Sequence, residues 1–216
     1  MKRSKNFYEP TKRLLDLIGA TVGLIICSPI LLLVALYIKL VSPGPVFADI
    51  PKRAGRGGKL FRMYKFRSMI PNAHEYLLKH PKLYEKYRKN NYKLPPDEDP
   101  RFIPGAKFLR KSSLDELPEV VNILKGEMSL VGPRAYYPFE LEEQRKRYPK
   151  EAHLIDQVLA VKPGLTGLWQ VSGRSQISFP ERIALDANYA RRRSVLFDLW
   201  LLLKTPWAVI SCRGAE

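Results

Sequence analysis

Cysteine and histidine are scarce in this 216-residue chain, and the scarcity removes whole classes of chemistry. Of its two cysteines, Cys27 lies inside an apolar run, so neither a disulfide framework nor a thiolate cluster is formed, and His74, His80 and His153 lack the spacing of a metal site. These gaps argue against a zinc site and against an oxidised secreted fold. Internal repeats and low-complexity tracts are missing too. Acidic residues are few: 21 Asp and Glu stand against 37 Lys and Arg, a net charge of +16. Such an excess points to a polyanionic partner, whether nucleic acid, an anionic membrane face or phosphorylated substrates. Seventeen basic residues against five acidic ones fall between Lys52 and Lys111, so the charge sits in one segment rather than in a tail. The hydrophobic share, 45%, supports a real core for one domain, or one domain with an appendage.

What the chain does possess is an apolar run, Leu17 to Ile38, of 22 residues without a charge. As a straight helix it would reach about 33 Å, enough to cross a hydrocarbon core of ~30 Å. A cleavable signal peptide fits poorly, because Ser28-Pro29 interrupts the run and no small-residue cleavage pattern follows. A simple span fits poorly as well. Lys2, Arg3, Lys5, Lys12 and Arg13 precede the run, and Lys39, Lys52, Arg53, Arg56 and Lys59 follow it, so both flanks prefer the cytoplasmic side. Pro29 lacks an N–H and biases Ser28 away from the α region, while the Ser28 hydroxyl can serve the loosened carbonyls of the preceding turn. The expectation is a re-entrant helix broken at Ser28-Pro29, with a kinked single span as the alternative.

Beyond the breaker Ser42-Pro43-Gly44-Pro45, two short extended segments about Gly55 to Gly58 predict a hairpin. A helix is expected from Asn72 to Tyr92, a loop from Leu94 to Pro104, and later helices over Pro138 to Tyr148, Pro180 to Arg192 and Ser194 to Ile210. The last carries Trp200 and Trp207 among leucines, and suits either a membrane surface or the core.

The most informative stretch is SLDELPEVVNILKG. Leu114, Leu117, Val120, Val121 and Leu124 recur at helical spacing, and Gly126 is placed to end the helix. Pro118 is comfortable only in a first turn, which puts the start near Asp115. Ser113 with Glu116 spells a capping box, and acids at a helix start are explained by the macrodipole alone. A functional reading uses the same residues: adjacent acids point about 100° apart on a helix, so Asp115 and Glu116 suit different tasks, one attacking phosphorus and the other holding a divalent ion. Lys65, Arg67, Arg110 and Arg134 are the basic residues that would offset phosphate charge.

With the broken apolar run, YKFRSM, SLDELPEVVNILKGEMSLVGPR and KPGLTGLWQVSGRS in this order, the chain resembles the bacterial sugar transferases, monotopic polyprenyl-phosphate phosphoglycosyl transferases, from about Thr11 to Gly214. The resemblance implies transfer of a sugar 1-phosphate from a UDP-sugar to polyprenyl phosphate with release of UMP. It implies that Asp115 is the nucleophile, that Glu116 helps bind Mg²⁺ (or Mn²⁺), and that Lys65, Arg110 and Asp186 belong to the site. It also implies that Ser28-Pro29 breaks a re-entrant helix. The chain departs from the family where Pro133-Arg134-Ala135 replaces the usual Pro-Arg-Pro. The multi-span N-terminal domain of many members is not seen ahead of the apolar run, so a minimal catalytic version is expected.

The resulting expectation is a mostly helical α+β protein. Residues 1–41 form a basic segment and re-entrant membrane helix, and residues 42–216 a cytosolic catalytic domain with amphipathic surface helices. The site would lie on the cytoplasmic face of the bacterial inner membrane, near anionic phospholipid, in a monomer or a homodimer, with no nucleic acid bound. Two competing readings remain: direct transfer in a ternary complex without a covalent intermediate, and a membrane-tethered basic adaptor or nucleic-acid-binding protein.

Overall fold

One 37-residue helix, α1 (Lys5–Val41), opens the computed structural model, which describes residues 5–90, 94–95, 97–173 and 177–210. Lys2 and Arg3 of the basic flank, Tyr92 at the expected helix end, Arg174 and Ser175 of the WQVSGRS stretch and Gly214 lie outside the described residues. The break expected at Ser28-Pro29 does not interrupt α1. Pro29 has no N–H to give the carbonyl of Ile25, four residues back, and the Ser28 hydroxyl donates to that carbonyl instead at 2.8 Å.

The helix is not a detached anchor. Ala20 and Leu24 pack with Phe61, Met63, Val120, Ile123 and Met128, while Leu31, Val34 and Ile38 pack with Phe66, Ile103, Ala106 and Leu109. Its polar residues are seated as well. The Tyr8 hydroxyl and Lys12 ammonium donate to Asp198 at 2.9 and 2.7 Å, and Asp16 accepts from Ser129 Oγ and the Leu130 amide. The opposite face stays open, with Ile25, Ile26, Leu32 and Leu33 65–71% exposed on either side of Ser28-Pro29.

β1 (Arg53–Ala54) and β2 (Leu60–Phe61) pair antiparallel about Gly55 to Gly58, the hairpin expected there. The chain then runs extended through Lys65 and Phe66, fastened on both sides: the Ala48 amide donates to the Lys65 carbonyl, and the Phe66 amide to the Asp115 carbonyl, each at 2.9 Å. In place of one helix over 72–92 there are two, α2 (Ala73–Leu78) and α3 (Pro81–Lys89). Proline explains the division: Pro81 takes the first position of α3 and holds His80 outside the helical region.

Next come α4 (Ala106–Lys111), a 3₁₀ turn over Leu114–Glu119, and α5 (Val120–Lys125), ended as expected by Gly126 at φ 80°. β3 (Ser129–Val131) and β4 (Gly164–Thr166) pair in parallel, joined through α6 (Pro138–Arg147) and α7 (Ala152–Leu159). The backbones beside this pair come so close that a Cβ on Gly164 would stand 2.0 Å from the Gly132 amide nitrogen. Glycine there lets the VGPR and KPGLTG stretches cross, which fixes where Arg134 leaves the sheet. α8 (Leu168–Ser172), α9 (Phe179–Arg192) and α10 (Val195–Ile210) complete the described fold. α10 buries Asp198 and Leu201 and exposes Leu196, Trp200, Leu203 and Trp207, so it serves the core with one face only. The architecture is mostly helical with two small sheets among the described residues, the α+β class expected.

Candidate active site

The bland account of Asp115 and Glu116 as a helix cap does not hold. Ser113 sits in the left-handed region at φ 57° and its side chain makes no capping bond. The Glu116 carboxylate turns instead to Lys65, accepting from its ammonium at 2.5 Å. Because Pro118 follows so soon, this stretch winds as a 3₁₀ turn with three residues per turn, and Glu116 and Glu119 are eclipsed on one side. Both reach Lys65, the Glu119 carboxylate lying 3.2 Å from the ammonium.

Two carboxylates therefore contact one partly buried lysine, and the charge of a third, Asp115, bears on it. Burial alone would lower the Lys65 pKa, but Glu116, Glu119 and Asp115 together hold it above its ordinary value. Burial pushes Asp115 up to about 6, with Glu116 adding to the rise and Lys65 and Arg110 opposing it. Asp115 is thus a carboxylate of raised basicity that is still largely ionised near neutrality. Glu119, 2% exposed, is pushed further, to about 8, by burial and Glu116 against the pull of Lys65.

The expected basic residues divide. Arg110, at the end of α4, lies over the Phe102 ring at 5.0 Å and bears electrostatically on Asp115. Arg134 is brought in from β3: its guanidinium lies 5.1 Å above Trp169, its Nε has no hydrogen-bond partner, and it feels the charge of Glu116. Arg67 is placed differently. Its Nε donates to the Pro45 carbonyl, one terminal nitrogen to Ser42 Oγ and the other to the Ser42 carbonyl, at 2.6 to 2.9 Å. Each of its three nitrogens holds the linker after α1, so the phosphate role expected for Arg67 gives way to a structural one. Asp186 is fully buried, accepting from the Arg134 amide at 3.1 Å and the Tyr136 hydroxyl at 2.9 Å. Burial raises its pKa to about 7 against those bonds. It positions the loop that carries Arg134 rather than facing the carboxylate pair.

Two neighbours escaped the sequence reading. Glu119 could have been found, because three-residue spacing puts it on the same face as Glu116 even in an α-helix, and the early Pro118 is a cue to the tighter winding that eclipses them. Arg53 is buried with its guanidinium 3.3 Å from the Tyr137 ring centroid, and its Nη1 donates to the Ala135 carbonyl. Burial lowers its pKa, and Glu119 is among the acids that oppose this. Ala135, where the family usually has proline, is itself buried in the cluster with Phe61 and Met63.

Among the described residues no group of three His, Cys, Asp or Glu is arranged to hold a metal ion. The donor chemistry nevertheless suits Mg²⁺, a hard cation commonly held by one or two carboxylates together with water and substrate phosphates rather than by an all-protein cage.

Paired carboxylates among partly buried cations, on a body built around a long apolar helix, are the parts of an enzyme site for anionic substrates. The chain belongs to the bacterial sugar transferase family, whose model matches residues 7–212. It is 40% identical over 217 residues to the undecaprenyl-phosphate galactose phosphotransferase of Salmonella typhimurium, covering 99% of this chain and 43% of that protein. It is 40% identical to the exopolysaccharide production protein ExoY of Sinorhizobium fredii, covering 95% of this chain and 88% of that one. It is 36% identical to the UDP-glucose:undecaprenyl-phosphate glucose-1-phosphate transferase of Xanthomonas campestris, covering 97% of this chain and 41% of that one.

Proposed function

We propose that this chain moves a hexose 1-phosphate from a UDP-sugar to polyprenyl phosphate, releasing UMP, at the cytoplasmic face of a bacterial plasma membrane. The observation that carries the reading is the Asp115–Glu116–Lys65 cluster, set in a chain whose relatives are named for this transfer. An Asp115 oxygen attacks the sugar-bearing phosphorus, forming a P–O bond as the bond to UMP breaks. An oxygen of polyprenyl phosphate then attacks the same phosphorus, the aspartyl bond breaks, and the carboxylate is regenerated. Lys65 holds Glu116 in place, and Arg110 and Arg134 offset charge on the diphosphate. Mg²⁺ held by Glu116 would neutralise further phosphate charge.

The membrane placement rests on α1. Only residues 25–30 separate the two stretches of α1 that pack on the body, about 9 Å of helix against a hydrocarbon core of ~30 Å. A helix so tethered would lie in the membrane from one side without crossing it, with Ser28-Pro29 in its lipid-facing part. That part exposes aliphatic side chains, as lipid contact requires.

The test is UMP release from a panel of UDP-sugars by the purified protein with Mg²⁺ and polyprenyl phosphate, beside Asp115→Asn and Glu116→Gln. Sugar-selective release, lost in both variants, is expected, together with ping-pong kinetics and a phosphosugar trapped on Asp115. Sequential kinetics with no trapped adduct would favour direct transfer in a ternary complex. No release from any donor by folded protein would remove the transferase reading.

A further inference from the structure

At the far end of α5 from Asp115 lies a second basic site. The first turns of α1, the turn at Arg56, the loop before β4 and the α9–α10 junction line a small pocket open to solvent. Lys12, Arg13, Arg56, Lys162 and Arg193 line it, against two carboxylates, Glu9 and Asp16. Both carboxylates are already engaged, Asp16 by Ser129 and Leu130, Glu9 by Arg56 at 3.5 Å and Arg193 at 3.6 Å. Lys12 is neutralised by Asp198.

Of the remaining cations, Arg13 and Lys162 form no ion pair with the described residues, although the charge of Asp16, whose own bonds come from neutral donors, bears on Lys162. Arg13 gives its bonds to the carbonyls of Ile123 and Leu124 and pairs with no carboxylate. Lys162, half-buried, forms no hydrogen bond or ion pair with the described residues. Both converge on Gly126, where an added Cβ would stand 3.6 Å from Arg13 Nη2 and 3.6 Å from Lys162 Nζ. The Nε of Arg193 is buried without a hydrogen-bond partner. Burial, and then the charge of Arg13, press the Lys162 pKa downward. Like charges held this close are relieved by an anion placed between them.

We propose that this pocket is a phosphate-binding site, separate from the Asp115 cluster, in which Lys162, Arg13 and Arg193 hold the anion. Its lining residues Tyr8 to Asp16 lead directly into the apolar run that begins at Leu17, so the phosphate of an anionic phospholipid headgroup is the source at hand. Bound there, it would pin the base of α1, the 55–58 turn and the β4 loop together at headgroup level. The lipid source rests on the membrane reading of α1, whereas the anion site itself does not.

Two measurements on the full chain separate these claims. In the first, protein in phosphatidylcholine nanodiscs containing a minority of phosphatidylglycerol is analysed by native mass spectrometry for retained lipid. In the second, protein in neutral detergent micelles is titrated with inorganic phosphate and followed by ³¹P line broadening. Lys162→Gln is compared with Lys162→Arg, which keeps the charge, and with Lys52→Gln, which removes an exposed charge outside the pocket. Loss of one charge-assisted bond should weaken phosphatidylglycerol retention about tenfold in Lys162→Gln. Retention should recover in Lys162→Arg and stay unchanged in Lys52→Gln. If only inorganic phosphate binding responds to Lys162→Gln, the site stands with a soluble phosphate as its occupant. If Lys162→Gln behaves as Lys52→Gln in both measurements, the proposal is overturned.

Discussion

Glu119→Gln should make the protein more stable, by an amount that grows with pH. Glu119 is 2% exposed, and burial with Glu116 nearby raises its pKa from 4.5 to about 8 in the folded state, even with Lys65 pulling the other way. A carboxyl whose folded pKa lies above its unfolded one holds its proton longer when folded. Its contribution to stability is therefore full below about pH 4.5 and is lost as pH rises towards 8. Linkage sets the slope at about 1.4 kcal/mol per pH unit, or about 4 kcal/mol between pH 5 and pH 8. Glutamine keeps the shape and an oxygen for Lys65 but has no proton to exchange. The difference in unfolding free energy between variant and wild type, read by denaturant unfolding in detergent micelles, should climb across that interval and flatten above it. Parallel stability curves from pH 5 to pH 9 would refute the reasoning, because they would mean that Glu119 is solvated or fully compensated by Lys65.

Arg67→Lys should cost about 2–3 kcal/mol, since a lysine replaces only part of the three bonds that seat Ser42 and Pro45; an unchanged melting curve would show that the linker is held by other means. Gly164→Ala should destabilise by at least about 3 kcal/mol, because its Cβ meets the Gly132 nitrogen at 2.0 Å, and wild-type stability would contradict that crossing. Asp186→Leu should lower kcat/KM for the UDP-sugar about a hundredfold by releasing the Arg134 loop, whereas Asp186→Asn, which retains an acceptor for the Arg134 amide and the Tyr136 hydroxyl, should keep most activity; equal loss in both would assign Asp186 a direct role as a charge.

Elements that depend on local signals were legible in the sequence. Glycines gave the hairpin at 55–58 and the end of α5 at Gly126, and the helices expected over 138–148, 180–192 and 194–210 match α6, α9 and α10. β3 and β4 were not legible, because three residues cannot display an alternation and their pairing joins segments more than thirty residues apart. The region of the site could be read from its acids and basic residues, but not how its cations are used. Arg67 and Lys65 are two positions apart, a spacing that a regular extended chain would put on one face, yet one reaches the linker and the other the carboxylates. The sequence motif offered no way to tell which side was which. Likewise Ser113 and Glu116 have the letters of a capping box, yet the left-handed backbone at Ser113 and the pull of Lys65 defeat it.

The contacts of Tyr8 and Lys12 with Asp198 join residues 190 and 186 positions apart. During synthesis the apolar helix is made well before the aspartate that fastens it. At 5–20 residues per second the interval is roughly ten to forty seconds. For that time α1 lacks the body that later receives Ala20, Val34 and Ile38. With α1 bound to a membrane as proposed above, lipid would be its first partner and would hold it until the remainder of the chain folds around it.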